Sequence, residues 1–142
     1  MIKKSTWLPC NQARAFVLFT EKASTWWPES RRHTGDPQSE IHLSSTGRFW
    51  ERATDGREAE LGRVLEWSPP ERLVLDFYPG TDPQHPTRVA VMFTIDGDGT
   101  RVTVEHSPTP SSADLWTGRA PQFERSWDLL LAALTRIAGL PA

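Results

Sequence analysis

Few residues in this chain are equipped for chemistry, and their spacing limits what that chemistry can be. His106 ends a run in which Val102, Val104 and His106 alternate, so its imidazole is expected on the apolar face of a strand. In that position it serves either as a polar anchor for a ligand in an apolar pocket or as a buried ring hydrogen-bonded to a neighbour. Glu51 and Glu66 are the carboxylates embedded among strand-like apolar residues, and a raised pKa at either would suit acid–base work with His106. Their neighbours leave the facing open, since Glu51 lies between Trp50 and Arg52 and Glu66 between Leu65 and Trp67. Solvated or salt-bridged carboxylates are the commoner outcome.

Other reactive types point away from catalysis. Cys10 is the single cysteine, so no intrachain disulfide forms, and it sits in a turn beside Pro9 with no cue for a partnering base. His33, His42, His85 and His106 lack the close pairing of a zinc site, so no metal and no cofactor are expected. Neither a glycine-rich phosphate loop nor a nucleophile elbow is present. The Arg31-Arg32-His33 cluster reads as a solvated loop rather than an anion site.

Aromatic residues are the stronger signal. Seven tryptophans in 142 residues are many, and such rings line both cores and ligand sites. Trp26, Trp27, Trp50, Trp67, Phe77, Trp116, Phe123 and Trp127 join His106 as the candidate lining of an apolar cavity. Simple core packing explains rings equally well, above all Phe93 and Phe123, because each buries on the order of 150–250 Å². Trp26, Trp116 and Trp127 lie near helix ends or loops and are expected at the mouth.

Positioning these residues requires a particular order of elements. Ile2 to Leu8 reads as a strand ended by Pro9, and Asn11 as the N-cap of a helix from about Gln12 to Trp27 with a break near Glu21. Pro28 to Gln38 reads as a loop. From there the period becomes two, with strands expected at Ile41–Leu43, Gly47–Ala53, Ala59–Trp67, Arg72–Tyr78, Thr87–Ile95 and Thr100–Ser107, separated by Gly- and Pro-rich turns. A short helix is expected over Asp114–Thr117. A final helix would then start at Pro121, carry the stripe Phe123, Trp127, Leu130, Leu134 and Ile137, and end at Gly139 and Pro141. Consecutive short-turn strands make an antiparallel meander, and the final helix has the length and stripe to cover its apolar face. The expected class is α+β, in one domain over residues 1–142.

Composition excludes several classes. A net charge of −2 with no basic stripe argues against a nucleic-acid binder. No apolar run approaches the length of a membrane span, and Met1-Ile2-Lys3-Lys4 has no apolar segment behind it, so no membrane insertion and no signal peptide are expected. The expected address is cytoplasmic. A homodimer is the default oligomer, as C2 assemblies are common.

The run Ala15-Phe16-Val17-Leu18-Phe19-Thr20 followed by Trp26-Trp27-Pro28 resembles the opening of bacterial proteins related to the activator of the heat-shock protein 90 ATPase. These belong to the START-like, birch-pollen-allergen-like superfamily also called SRPBCC. Gly47-Arg48-Phe49-Trp50-Glu51, Asp55-Gly56, the segment from Gly62 to Leu73 with its Pro69-Pro70 pair, and Gly99 to His106 resemble further motifs in family order. Departures are Thr46 and Ser126 at positions where a glycine is usual, and an extended Pro79 to Pro86 loop. The resemblance implies a helix-grip fold, a curved antiparallel sheet of about six or seven strands wrapped around a long C-terminal helix, with short helices between the first two strands. It also implies non-catalytic binding of a hydrophobic or aromatic small molecule between sheet and helix. The alternatives are an interaction module acting on a chaperone ATPase, or a small cyclase or dehydratase using His106 with Glu51 or Glu66.

Overall fold

A computed structural model describes residues 1–140. Seven antiparallel strands form one sheet: β1 (Ile2–Leu8), β2 (Glu40–Leu43), β3 (Arg48–Arg52), β4 (Glu58–Ser68), β5 (Arg72–Phe77), β6 (Thr87–Asp96) and β7 (Gly99–Pro108). Their order across the sheet is β1-β7-β6-β5-β4-β3-β2, so β2 to β7 run as a meander and β1 returns to the far edge. Between β1 and β2, α1 (Gln12–Phe19) packs against β6, β7 and the long C-terminal helix, and α2 (Ala23–Trp26) against β2 and the same helix, followed by a 3₁₀ turn at Glu29–Arg31. The long helix α3 (Ala113–Ala138) fills the concavity. This is the helix-grip α+β fold.

The concave face is built by strict alternation. Leu73, Leu75 and Phe77 on β5, Val89, Val91 and Phe93 on β6, and Val102, Val104 and His106 on β7 are all buried. The register places Leu75 beside Val89 and Val89 beside His106, so the rows run across the strands. Bulges at Phe49/Trp50 and Val64/Glu66 add local twist and help the sheet to bend. Gly62 lies between them, where a Cβ would collide with the Asp76 carbonyl and stand 3.1 Å from the Phe49 ring. Its bare backbone is what lets β4 approach so closely.

Local signals set the helix boundaries. The Asn11 side chain accepts the Arg14 amide at 2.8 Å and caps α1, and the chain breaks after Phe19 to restart at Ala23. Against expectation, α3 is one helix running through Pro121 rather than two separate pieces. An interior proline forfeits a backbone bond and costs roughly 3 kcal/mol in an isolated helix. Here the turns on either side are held by one ring: Trp116 and Phe123 both pack on His106, at centroid distances of 5.2 and 4.4 Å. That shared docking keeps the helix continuous. Pro141 lies outside the described residues. Among the described residues, no helix is long and apolar enough to cross a membrane.

Candidate ligand cleft

A cleft of about 190 Å³ remains between α3, the ends of β4 and β5, and the segment that follows α2. Leu61 and Phe77 form its floor, and Phe123, Trp127 and Leu130 form the helix wall. Trp27 closes one side, with Ser30, Arg31, Arg32 and His33 along the rim, while Pro79, Gly80, Gln122 and Ser126 border the other. The rings continue beyond the opening as a packed series. Trp27 meets Phe49 at 5.9 Å, Phe49 meets Phe77 at 6.4 Å, and Phe77 meets Trp127 at 5.8 Å. Gly80 holds a left-handed φ of 85°, and a Cβ there would come within 2.5 Å of the Phe123 ring, so loop and helix meet in van der Waals contact at the rim.

Behind the helix wall lies a directed chain of hydrogen bonds. The Trp127 indole N–H donates to His106 Nδ1 at 3.0 Å. Indole is only a donor, so Nδ1 is the unprotonated nitrogen and Nε2 carries the proton. Nε2 therefore donates to Thr87 Oγ1 at 2.7 Å, which in turn donates to the Phe77 carbonyl at 3.1 Å. Burial, with a smaller contribution from the positive N-terminus, pushes the imidazole pKa down to about 3. Both ring nitrogens are engaged by the protein, and the ring stays neutral.

Glu51 shares the concave parity of Phe49 and is fully buried. Its carboxylate accepts the amides of His33 at 2.8 Å and Thr34 at 2.9 Å, and the Thr34 hydroxyl at 2.5 Å. Burial alone would raise its pKa, but the Thr34 and His33 hydrogen bonds outweigh it and hold the carboxyl below its usual value. Glu51 therefore pins the rim segment to the sheet. Glu66 is exposed and pairs with Arg72 at 3.3 Å. The structure brings neither carboxylate into hydrogen-bond contact with His106. Burial pushes the Cys10 thiol up, against a smaller opposing effect of Arg14.

Residues 9–139 match the family described as "Activator of Hsp90 ATPase homolog 1-like protein". The chain belongs to the Hsp90 ATPase activator homolog 1-like family. CalC from Micromonospora echinospora, described as a self-sacrificing resistance protein, is a similar solved structure. It is 25% identical with a TM-score of 0.73, over 96% of this chain and 92% of that one. Protein CV1439 from Chromobacterium violaceum superposes with a TM-score of 0.68 at 14% identity, over 99% of this chain and 98% of its own. CalU16, also from Micromonospora echinospora, gives 0.57 at 16% identity, over 96% and 79%. The last two likenesses concern the fold alone. No curated protein matches the chain in sequence.

On this Hsp90-activator-like scaffold the nominated aromatics separate by position. Trp27, Phe77, Phe123 and Trp127 line the cleft. His106 lies directly behind Trp127, and Trp116 covers its other side. Trp26 is buried against Phe19, with its N–H on the Leu18 carbonyl at 2.6 Å. Trp67 packs edge-on against Phe16 at 5.1 Å, at the α1 end of the core. Trp50 has the opposite parity: on the convex face it stacks on His42 at 4.4 Å and lies under Arg48 and Arg52, at 4.1 and 4.8 Å. The rim residues Gly80, Gln122 and Ser126 carry no aromatic signature and were not expected at a site, and Arg31 was expected in a solvated loop; the one available signal is spacing, since Ser126 lies three residues after Phe123 and four before Leu130 on α3.

Proposed function

We propose that the cleft binds the ring of a hydrophobic or aromatic small molecule without catalysis. The observation carrying this reading is the 190 Å³ hollow that α3 leaves above Leu61 and Phe77. An apolar cavity of about 150 Å³ is large enough to take a benzene-sized guest, whereas drug-sized ligands need roughly 300–1,000 Å³. The ligand is therefore a single-ring compound, or a larger molecule inserting one ring and leaving the rest outside. Non-catalytic binding is favoured because His106 has both nitrogens engaged and Glu51 is saturated by rim donors. Thermal-shift and calorimetric titrations with single-ring aromatics test this. Saturable binding lost on filling the cleft with Leu61→Phe supports it; no binding to a folded protein refutes it.

A second reading, contact with a chaperone ATPase, draws on the family description and on the convex Arg48–Trp50–Arg52 stack. Trp50 is half-buried in that stack, and Trp and Arg are frequent anchors of protein interfaces. It requires that the protein change a chaperone's ATPase rate and that Trp50→Ala remove the effect; an unchanged rate refutes it.

A further inference from the structure

Two adjacent arginines stand at the cleft and are used in opposite ways. Arg32 is spent on the protein itself. Its Nε donates to the Trp27 carbonyl at 3.2 Å, and one terminal nitrogen donates to the Ser39 carbonyl and hydroxyl at 2.5 and 3.1 Å. The other terminal nitrogen donates to the carbonyls of Ser24 at 2.8 Å and Trp27 at 3.0 Å. Such a guanidinium is a strut.

Arg31 is left largely unspent. Its Nε donates to Ser126 Oγ at 2.8 Å, reaching across the cleft to α3, and one terminal nitrogen makes a long 3.3 Å contact with the Ser30 carbonyl. Its second terminal nitrogen has no partner among the described residues, and no carboxylate among them forms an ion pair with it. The backbone beneath is fixed, because the Trp27 indole N–H donates to the Arg31 carbonyl at 3.2 Å and the Arg31 amide donates to Pro28 at 3.0 Å.

We infer that Arg31 is an anion subsite at the mouth of the cleft and that the ligand class is a single-ring aromatic carboxylate. This rests on the cleft being a ligand site. The ring occupies the hollow beside Phe77 and Trp127, and the carboxylate takes the unfilled edge of the guanidinium. A planar carboxylate matches that fork, and charge-assisted bonds of this kind are about twice as strong as neutral ones. No internal salt bridge has to break first. The tethers from Ser126 and Trp27 hold the group in place, which reduces the ordering cost of binding. Because the charge stays at the rim while only the ring is enclosed, neither ion needs full desolvation, the step that makes buried pairs unfavourable.

The test compares benzoate with its neutral isostere benzamide, by calorimetry at low and moderate salt, on wild type, Arg31→Gln and Ser126→Ala. The expected result is benzoate binding roughly tenfold more tightly than benzamide, the size of effect a charge-assisted pair supplies. The preference should shrink with salt, vanish in Arg31→Gln and weaken in Ser126→Ala. Circular dichroism checks that the variants are folded, and Ser126→Ala serves if Arg31→Gln is not. Equal binding of the two compounds, or a benzoate preference that persists in Arg31→Gln, overturns the anion subsite and leaves the cleft standing. Failure of both compounds to bind folded wild type removes the cleft reading, and the subsite with it.

Discussion

Trp127 holds His106 in a single tautomer: its indole N–H points at Nδ1 over 3.0 Å, so the imidazole proton must sit on Nε2 and face Thr87. The same tryptophan presents its ring to the cleft. One residue thus couples the cleft wall to a polar chain buried in the sheet, and the state of the imidazole becomes a condition for the wall's position.

That coupling sets a pH dependence. The folded pKa of His106 is about 3 against an ordinary 6.5, so between these values the unfolded chain binds more protons than the folded one. Stability therefore rises with pH through this window and is lost as pH falls from about 6.5 toward 3. Between pH 7 and pH 5 the loss is about 2 kcal/mol. Urea unfolding at pH 7, 6 and 5 measures it. His106→Gln should flatten the dependence above pH 5, before the carboxylates held low by hydrogen bonds, such as Glu51 and Asp36, contribute.

Glu51→Gln tests the rim anchor. The amide keeps one acceptor oxygen where the carboxylate offers two to His33 and Thr34. Loss of a buried charge-assisted bond costs about 1.5–3 kcal/mol. Denaturant unfolding should show that loss, and limited proteolysis should show faster cleavage within residues 32–38.

At Gly80 both conformation and space are restrictive. Gly80→Ala places a Cβ at a φ of 85° and against the Phe123 ring. A destabilisation of about 1–3 kcal/mol is expected from strain and overpacking together. Equilibrium unfolding measures it, and an unchanged midpoint would contradict the tight rim.

Trp27 and Trp50 make an internal control. Trp27→Leu removes a cleft wall and should weaken binding of a single-ring ligand at least tenfold, whereas Trp50→Leu alters only the convex face and should leave affinity unchanged. Calorimetric titration of both variants decides it.

How much of this was legible in the sequence follows from the range over which each signal acts. The alternation of Val89, Val91 and Phe93 opposite Val102, Val104 and His106 is local, and the Asp-Gly turn between these strands fixes their pairing, so the concave row could be read directly. The α3 stripe was equally plain, although its continuation through Pro121 was not, because the compensation comes from His106 in another element. Glu51 had no readable facing beside so large a neighbour as Trp50. In the folded chain Trp50 takes the convex side, stacked on His42 beneath two arginines, and Glu51 turns inward to receive the rim amides. Arg31-Arg32-His33 looked like a solvated loop. Arg32 is in fact half-buried and consumed by carbonyls seven and eight positions away, and Arg31 finds its short hydrogen bond at Ser126, 95 positions along the chain. Contacts of that span leave no mark on composition or period.

The most direct measurement is a proton–nitrogen NMR titration of the tryptophan indole N–H signals with benzamide. Saturable shifts of the Trp27 and Trp127 signals are expected, with Trp7 and Trp50 unmoved, and the shifts should be lost in Leu61→Phe. Shifts confined to Trp7 or Trp50, or no saturable change at any indole, would mean that the hollow above Leu61 and Phe77 is not a binding site.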